Sequence, residues 1–193
     1  MPRIAATVGD LELEFETSPR LFSPRGVDRG TLAMLSQVAL EPGDRVLDLG
    51  CGYGVVGIWA ARQIGADRVV MLDSDAEAVR LARANAARNG VPGVTVERSS
   101  GFRDTRETGF TWILCNPPYH EDFALPKEWI HKGFNRLEHG GRMVFVTRRR
   151  TWYEKKLSSI FGGTRVSEID GYFVLSSEKR RSDYANADRA RRS

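Results

Sequence analysis

The sequence predicts an α/β fold, a three-layer sandwich on a mostly parallel seven-stranded sheet, with a β-hairpin added at the N-terminus. Three observations point there. Short apolar runs at 46–49, 69–72, 94–96, 112–115 and 143–146 have the length of buried strands, and most are followed by amphipathic stretches of helical period. The first run passes directly into a glycine turn and a helix start, VLDLGCGYGVVGI at 46–58. Near the far end, runs at 166–169 and 172–175 flank Asp170-Gly171, a two-residue hairpin signal, so the sheet closes on an antiparallel pair.

Taken in order, residues 4–8 and the alternation of Leu11, Leu13 and Phe15 with Glu12, Glu14 and Glu16, joined by Gly9-Asp10, form the hairpin, an addition to the core fold. LFSPRGVDRGT at 21–31 is a loop ending in Thr31, which caps a helix carrying Leu32, Leu35 and Val38; Glu41-Pro42-Gly43-Asp44 closes it. The helix after the glycine turn runs to about Gln63 and stops at Gly65. Run 69–72 ends in Asp73, and Ser74 with Glu77 forms a capping box for a helix with Val79, Ala82 and Ala86 inward and Gly90 at its end. Strand 94–96 leads into Arg98-Ser99-Ser100-Gly101-Phe102, and strand 112–115 into Asn116-Pro117-Pro118-Tyr119. Pro126 begins a helix with Ile130, Phe134 and Leu137 on one face, ended by Gly140-Gly141. Arg148, Arg149 and Arg150 follow strand 143–146 at once, and Thr151 with Glu154 caps the next helix.

Composition bounds the rest. A chain of 193 residues suits one domain, placed at 1–180 with 1–17 as hairpin and 18–180 as core, followed by a basic tail at 181–193. That tail reads as an RNA-touching arm or a plain disordered end. No apolar run approaches about eighteen residues and the N-terminus lacks an h-region, so neither a membrane span nor a secretory signal is expected, and the chain reads as cytoplasmic. Cys51 and Cys115 make neither a metal pair nor a disulfide framework, and no metal is expected. The net charge is +4, and arginine outnumbers lysine several-fold, which suits RNA although a codon bias gives the same excess.

Two stretches carry chemistry. Gly52, Gly54 and Gly57 alone fit the G-x-G-x-x-G of nicotinamide or flavin enzymes, but the acid ahead of them separates the cofactor classes. Asp48 gains nothing beside a pyrophosphate, whereas S-adenosyl-L-methionine brings an ammonium and a sulfonium. A glycine turn that only packs a helix on a strand is the plainer alternative. Asp73, about twenty residues on, stands where ribose hydroxyls are held, or serves as a turn residue. An acceptor near Ser100 meets an adenine amine, with Phe102 packed on the ring.

In Asn116-Pro117-Pro118-Tyr119 two prolines fix the backbone, so the Asn116 amide oxygen and the Pro117 carbonyl converge as acceptors. Such acceptors suit an NH2 group: they draw a conjugated amine toward tetrahedral geometry and free its lone pair, while Tyr119 offers a face for the ring to stack on. The tetrapeptide is also a fair turn sequence. In an open parallel sheet Arg148, Arg149 and Arg150 stand on the rim of the cleft, as phosphate holders or a solvated charge run.

VLDLGCGYGVVGI, the strand-terminal Asp73 and CNPPY together resemble the class I S-adenosylmethionine-dependent methyltransferases. LEFETSPRLFSPRGVDRGT and GYFVLSSEKRR are similar to the small-domain group that includes bacterial ribosomal RNA guanine-N2 methyltransferases and single-domain archaeal relatives, over about residues 11–180. The resemblance implies a Rossmann-like methyltransferase fold in which Phe22, Asp28, Gly30 and Thr31 close over the methionine end of the cofactor. Asp48, Gly50, Cys51, Gly52 and Gly54 lie under it, Asp73 and Ser74 meet the ribose, Ser100 the adenine, and Asn116, Pro117, Pro118 and Tyr119 form the target-amine site. His120 matches a histidine of the RNA-modifying members or is a solvent-facing side chain. One departure stands out: the third strand of the family usually ends in Asp or Asn, and here Ser99-Ser100 replaces it.

The function expected is methyl transfer from S-adenosyl-L-methionine, leaving S-adenosyl-L-homocysteine, to guanine N2 in ribosomal RNA, by a monomer or homodimer. Alternatives are another NH2 target (a transfer RNA or DNA base, a protein glutamine, a small-molecule amine) or a non-catalytic RNA-binding module that keeps the pocket. Glutamine methyltransferases with this tetrapeptide resemble chains with a helical domain ahead of the glycine loop, and DNA adenine methyltransferases carry a target-reading region for which this chain has little room.

Overall fold

The computed structural model describes residues 1–118 and 122–186; Tyr119, His120 and the end of the basic tail, 187–193, lie outside the described residues. The strands are β1 (Arg3–Val8), β2 (Leu11–Glu16), β3 (Val46–Leu49), β4 (Val69–Asp73), β5 (Thr95–Arg98), β6 (Phe110–Cys115), β7 (Leu137–Thr147), β8 (Arg165–Ile169) and β9 (Tyr172–Glu178). The helices are α1 (Arg29–Leu35), α2 (Val55–Ile64), α3 (Ala76–Arg88), α4 (Ala124–Arg136) and α5 (Arg150–Phe161). Seven strands form one sheet in the order β5-β4-β3-β6-β7-β9-β8, and β1 pairs with β2 in a sheet of their own. Neighbours from β5 to β7 run parallel, while β9 is antiparallel to both β7 and β8. The turn between β8 and β9 has Asp170 at φ 50° and Gly171 at φ 78°, the two left-handed residues that a tight hairpin needs.

Strand residues alternate between two cores because successive side chains leave opposite faces of a pleated sheet. Val46, Met71, Leu114 and Val144 face α1, α2 and α3; Leu47, Leu72, Ile113 and Phe145 face α4 and α5. Both faces are therefore covered, which is why these runs are apolar throughout.

The hairpin belongs to the first core rather than standing apart from it. Val8, Leu13 and Phe15 are buried with α2 and α3, and Phe15 tilts against Tyr53 with ring centroids 5.6 Å apart. Asn85 and Asn89, one turn apart on the edge of α3, act as a partner strand for β2. Asn85 Oδ1 accepts from Glu16 N at 2.7 Å and Nδ2 donates to Glu16 O at 2.9 Å, while Asn89 does the same for Glu14 at 3.1 and 2.7 Å.

Several boundaries differ from the sequence expectation. Asp28, not Thr31, caps α1, its Oδ2 accepting from Thr31 N at 2.9 Å; the helix ends at Leu35, so Val38 is buried beyond it. Asp75 caps α3 by accepting from Glu77 N, so the Ser74–Glu77 box does not form. The third strand is shifted to Thr95–Arg98. Leu137 and Gly140-Gly141 belong to β7 instead of ending α4, since Gly140 N donates to Lys179 O at 2.7 Å and Lys179 N to Gly141 O at 2.8 Å. Long-range pairing overrides the local glycine signal there, and a Cβ at Gly141 would stand 2.9 Å from Phe110 O. Arg149 occupies the N-cap position of α5 and its side chain does not bond the first turn, in place of the expected Thr151 and Glu154 cap.

Candidate active site

The carboxyl ends of β3, β4, β5 and β6 open into a cavity of about 490 Å³, roofed by the 20–31 segment and walled by α4. Its floor is the turn after β3. Gly50 N and Cys51 N both donate to Leu72 O at 2.9 Å, which folds the turn against the end of β4, and Gly50, Gly52 and Gly54 take φ of 78°, 55° and 100°. Only glycine adopts such a run without strain. Gly54 is the N-cap of α2 and offers no side chain, so Asp48 serves instead: its Oδ2 accepts from Gly57 N in the first turn of α2 at 2.8 Å. Burial pushes the Asp48 carboxyl up to about 7, with the Gly57 N–H pulling it down and the charge of Asp73 adding to the rise.

Asp73 ties the floor to the next element. Its Oδ2 accepts from Gly52 N and its Oδ1 from Asp75 N, both at 2.9 Å, so the carboxylate is held rigidly at the pocket edge. Tyr53 reaches up from the floor to the roof, donating to the Ser23 and Gly26 carbonyls at 3.2 and 3.3 Å.

Asn116 adjoins this floor at the end of β6, where Leu49 pairs with Cys115. Its Nδ2 donates to Asp28 Oδ2 and to Thr31 Oγ1, both at 2.9 Å, which fixes the amide's orientation. The Asn116 Oδ1 is buried and accepts from no donor among the described residues. A buried amide oxygen without a donor is costly to leave so, and here it sits in the wall of a cavity beside Pro117 and Pro118. The arrangement is ready for one N–H donor.

Of the expected site residues, Phe22, Asp28, Thr31, Asp48, Gly50, Cys51, Gly52, Asp73, Ser74, Ser100, Asn116, Pro117 and Pro118 all line this one cavity. Gly30 and Gly54 stand outside the lining, and each has a packing reason: a Cβ at Gly30 would meet the Tyr172 ring at 2.9 Å, and one at Gly54 would meet Ile58 Cδ1 at 3.0 Å. Phe102 does not face the cavity either; it is buried in the second core under the Arg136 guanidinium, 5.7 Å from its ring centre. Trp129 of α4, absent from the expectation, takes a place in the wall. Its signal in the sequence was one of position alone, an aromatic beside the core-facing Ile130 on the helix that follows Asn116. Cys51 and Cys115 are both buried free thiols that burial keeps protonated.

Arg148, Arg149 and Arg150 are exposed where β7 ends and α5 begins, outside the cavity lining. Each is set over an aromatic ring: Arg148 over Tyr172 at 4.7 Å, Arg149 over Phe123 at 5.4 Å and Arg150 over Phe173 at 5.9 Å. Phe123 in turn stacks on Trp152 at 4.3 Å. Among the described residues no group of His, Cys, Asp and Glu is arranged to hold a metal, and no helix is long and apolar enough to cross a membrane.

Curated ribosomal RNA small subunit methyltransferases C are similar to this chain: that of Pseudomonas aeruginosa (strain LESB58) is 30% identical over 182 residues, covering 92% of this chain and 54% of the relative. That of Citrobacter koseri is 33% identical over 168 residues, covering 85% and 48%. The chain thus spans about half the length of the curated relatives it matches. Among solved structures, a T. thermophilus 16S rRNA guanine-N2 methyltransferase in complex with AdoMet and guanosine superposes with a TM-score of 0.85 at 28% identity, over 93% of this chain and 50% of that one. The methyltransferase small domain family matches residues 12–176, so the chain belongs to that family.

Proposed function

We propose that this chain transfers a methyl group from S-adenosyl-L-methionine to an exocyclic amine, the N2 of a guanine in ribosomal RNA, within one catalytic unit of residues 1–180 that works in the cytoplasm. The observation that carries the reading is the unpartnered Asn116 Oδ1, locked by Asp28 and Thr31 in the cavity floored by the glycine turn. The relatives' names support the amine and the RNA class.

The residues fit the cofactor. Asp73, already anchored through one lone pair of each oxygen, keeps lone pairs for ribose hydroxyls, and Asp48 and Asp28 put negative charge where an ammonium and a sulfonium gain from it. When bound, that cofactor supplies an electrophilic methyl group. Asn116 accepts one amine hydrogen and Pro117 the other, which orients the nitrogen lone pair and suppresses its conjugation with the ring. Tyr119 and His120 are assigned to the substrate base, and Arg148, Arg149 and Arg150, braced on aromatic rings, to phosphates of the RNA.

Radiolabelled methyl transfer to undermethylated ribosomal RNA, with transfer RNA, DNA and a release factor as parallel substrates, tests this. Label recovered as N2-methylguanosine in ribosomal RNA is expected; label only in another arm, or in none, overturns the assignment.

A further inference from the structure

The cavity is lined by a second residue with a buried polar atom that has no partner among the described residues, and that atom lies beside Gly101 in the loop after β5, whereas Asn116 follows β6. Trp129 is 5% exposed, its indole Nε1–H has no acceptor among the described residues, and the residue forms part of the wall. Two loops are shaped around it. A Cβ at Gly50 would stand 3.2 Å from Trp129 Cη2, and one at Gly101 would stand 2.6 Å from Nε1. Glycine at these positions admits the indole, and Gly101, at φ of 59°, lets the loop after β5 pass directly beside the nitrogen.

The sheet order tells which part of a ligand this end would meet. Asn116 follows β6 and Asp73 ends β4, while Ser99, Ser100 and Gly101 follow β5 at the sheet edge, two strands beyond β3. With a ribose at Asp73 and the reacting end toward Asn116, the base falls between β4 and β5, against Trp129. Adenine's amine only donates there; its acceptors are ring nitrogens. Ser99 is poorly placed to serve the amine, since its Oγ donates to Gly101 O at 2.7 Å and accepts from Asp104 N at 3.2 Å. Phe102, expected to pack on the adenine ring, is in the core, while Ser100, the expected amine contact, lines the cavity.

We propose that the Trp129 indole N–H donates to a ring nitrogen of the cofactor's adenine, so that this chain recognises the base through its heterocycle edge. The proposal rests on the cofactor reading above. An arriving acceptor satisfies a donor that is otherwise buried unmade, and loss of such a pair weakens binding by about tenfold.

Calorimetry on the intact protein tests it, with S-adenosyl-L-homocysteine and its 1-, 3- and 7-deaza analogues titrated into wild type and Trp129→Phe. In wild type one of the three deaza ligands should bind about tenfold more weakly than the parent. Trp129→Phe should bind the parent about tenfold more weakly and be indifferent to that same ring substitution, the coupling expected of a direct pair. Three equal deaza affinities in wild type overturn the proposal, whether or not the variant folds. So does a Trp129→Phe protein that binds as wild type does, or one that loses the same factor for every ligand, which marks a packing role. Absence of any binding of S-adenosyl-L-homocysteine to wild type is a different result and removes the cofactor reading itself.

Discussion

Asn116 and Asp48 do opposite work with the same economy of atoms. Asn116 spends both amide hydrogens on Asp28 and Thr31 and leaves its oxygen open. Asn116→Ala should therefore leave S-adenosyl-L-homocysteine affinity within a few-fold while cutting turnover by roughly a hundredfold, the loss typical of one polar group acting in the transition state. Single-turnover rates alongside calorimetry would show it, and unchanged turnover would remove the role. Asp48 is buried, and its carboxyl is raised from 3.8 to about 7. The folded state therefore holds this proton more tightly than the unfolded chain does. Its contribution to stability is fully present below pH 3.8 and is lost as pH rises toward 7. A cation in the cavity favours the carboxylate, so affinity for S-adenosyl-L-methionine should rise with pH up to about 7 and then level off. Calorimetry at pH 6 in two buffers of different ionisation enthalpy should detect a released proton, and Asp48→Asn should abolish that release. Asp48 was legible because a strand, an acid and three glycines form a local pattern, and Asn116 because two prolines follow it directly after a strand. Trp129 was not, since nothing in the sequence says which side of α4 meets the glycines at 50 and 101.

Elements meet here through a few buried polar links. Asn85 is wholly buried and bonds Glu16 N, Glu16 O and Tyr53 O, so one side chain joins β2, α3 and the glycine turn. Asn85→Ala strands those groups and should cost about 2–4 kcal/mol of stability, read by urea denaturation, with the hairpin amides losing exchange protection first. Gly57 shows a tighter constraint. A Cβ there would lie 2.3 Å from Met71 Cγ and 3.3 Å from Asp48 Oδ2, so Gly57→Ala should destabilise by about 1–3 kcal/mol and weaken cofactor binding as well. Most strands and helices could be placed from periodicity alone. What periodicity missed were ends: the caps at Asp28 and Asp75, and the start of β7 at Leu137, where backbone pairing with Lys179 outweighs two glycines. Several residues in each neighbourhood can cap a helix, and geometry selects among them.

At the scale of the whole molecule the sheet brings the ends of four strands to one cavity, and ligand binding should stiffen all of them together. S-adenosyl-L-homocysteine at about a hundred times its Kd should add about 2.7 kcal/mol, a rise of about 5–10 °C in the melting midpoint for a chain of this size. At the head of α5, under the proposed phosphate role, Arg149→Ala should raise KM for ribosomal RNA and flatten its salt dependence with kcat unchanged. The sequence by itself determined the layered α/β class, the strand count and the two motifs, because strand and helix periods and the chemistry of Gly-rich and Asn-Pro-Pro turns are local properties. Only the tertiary structure decided that the N-terminal hairpin is sewn to α3, that Phe102 turns into the core and that Trp129 faces the pocket. Those outcomes depend on which surfaces remain to be covered once the sheet has formed, and no local stretch of residues carries that information.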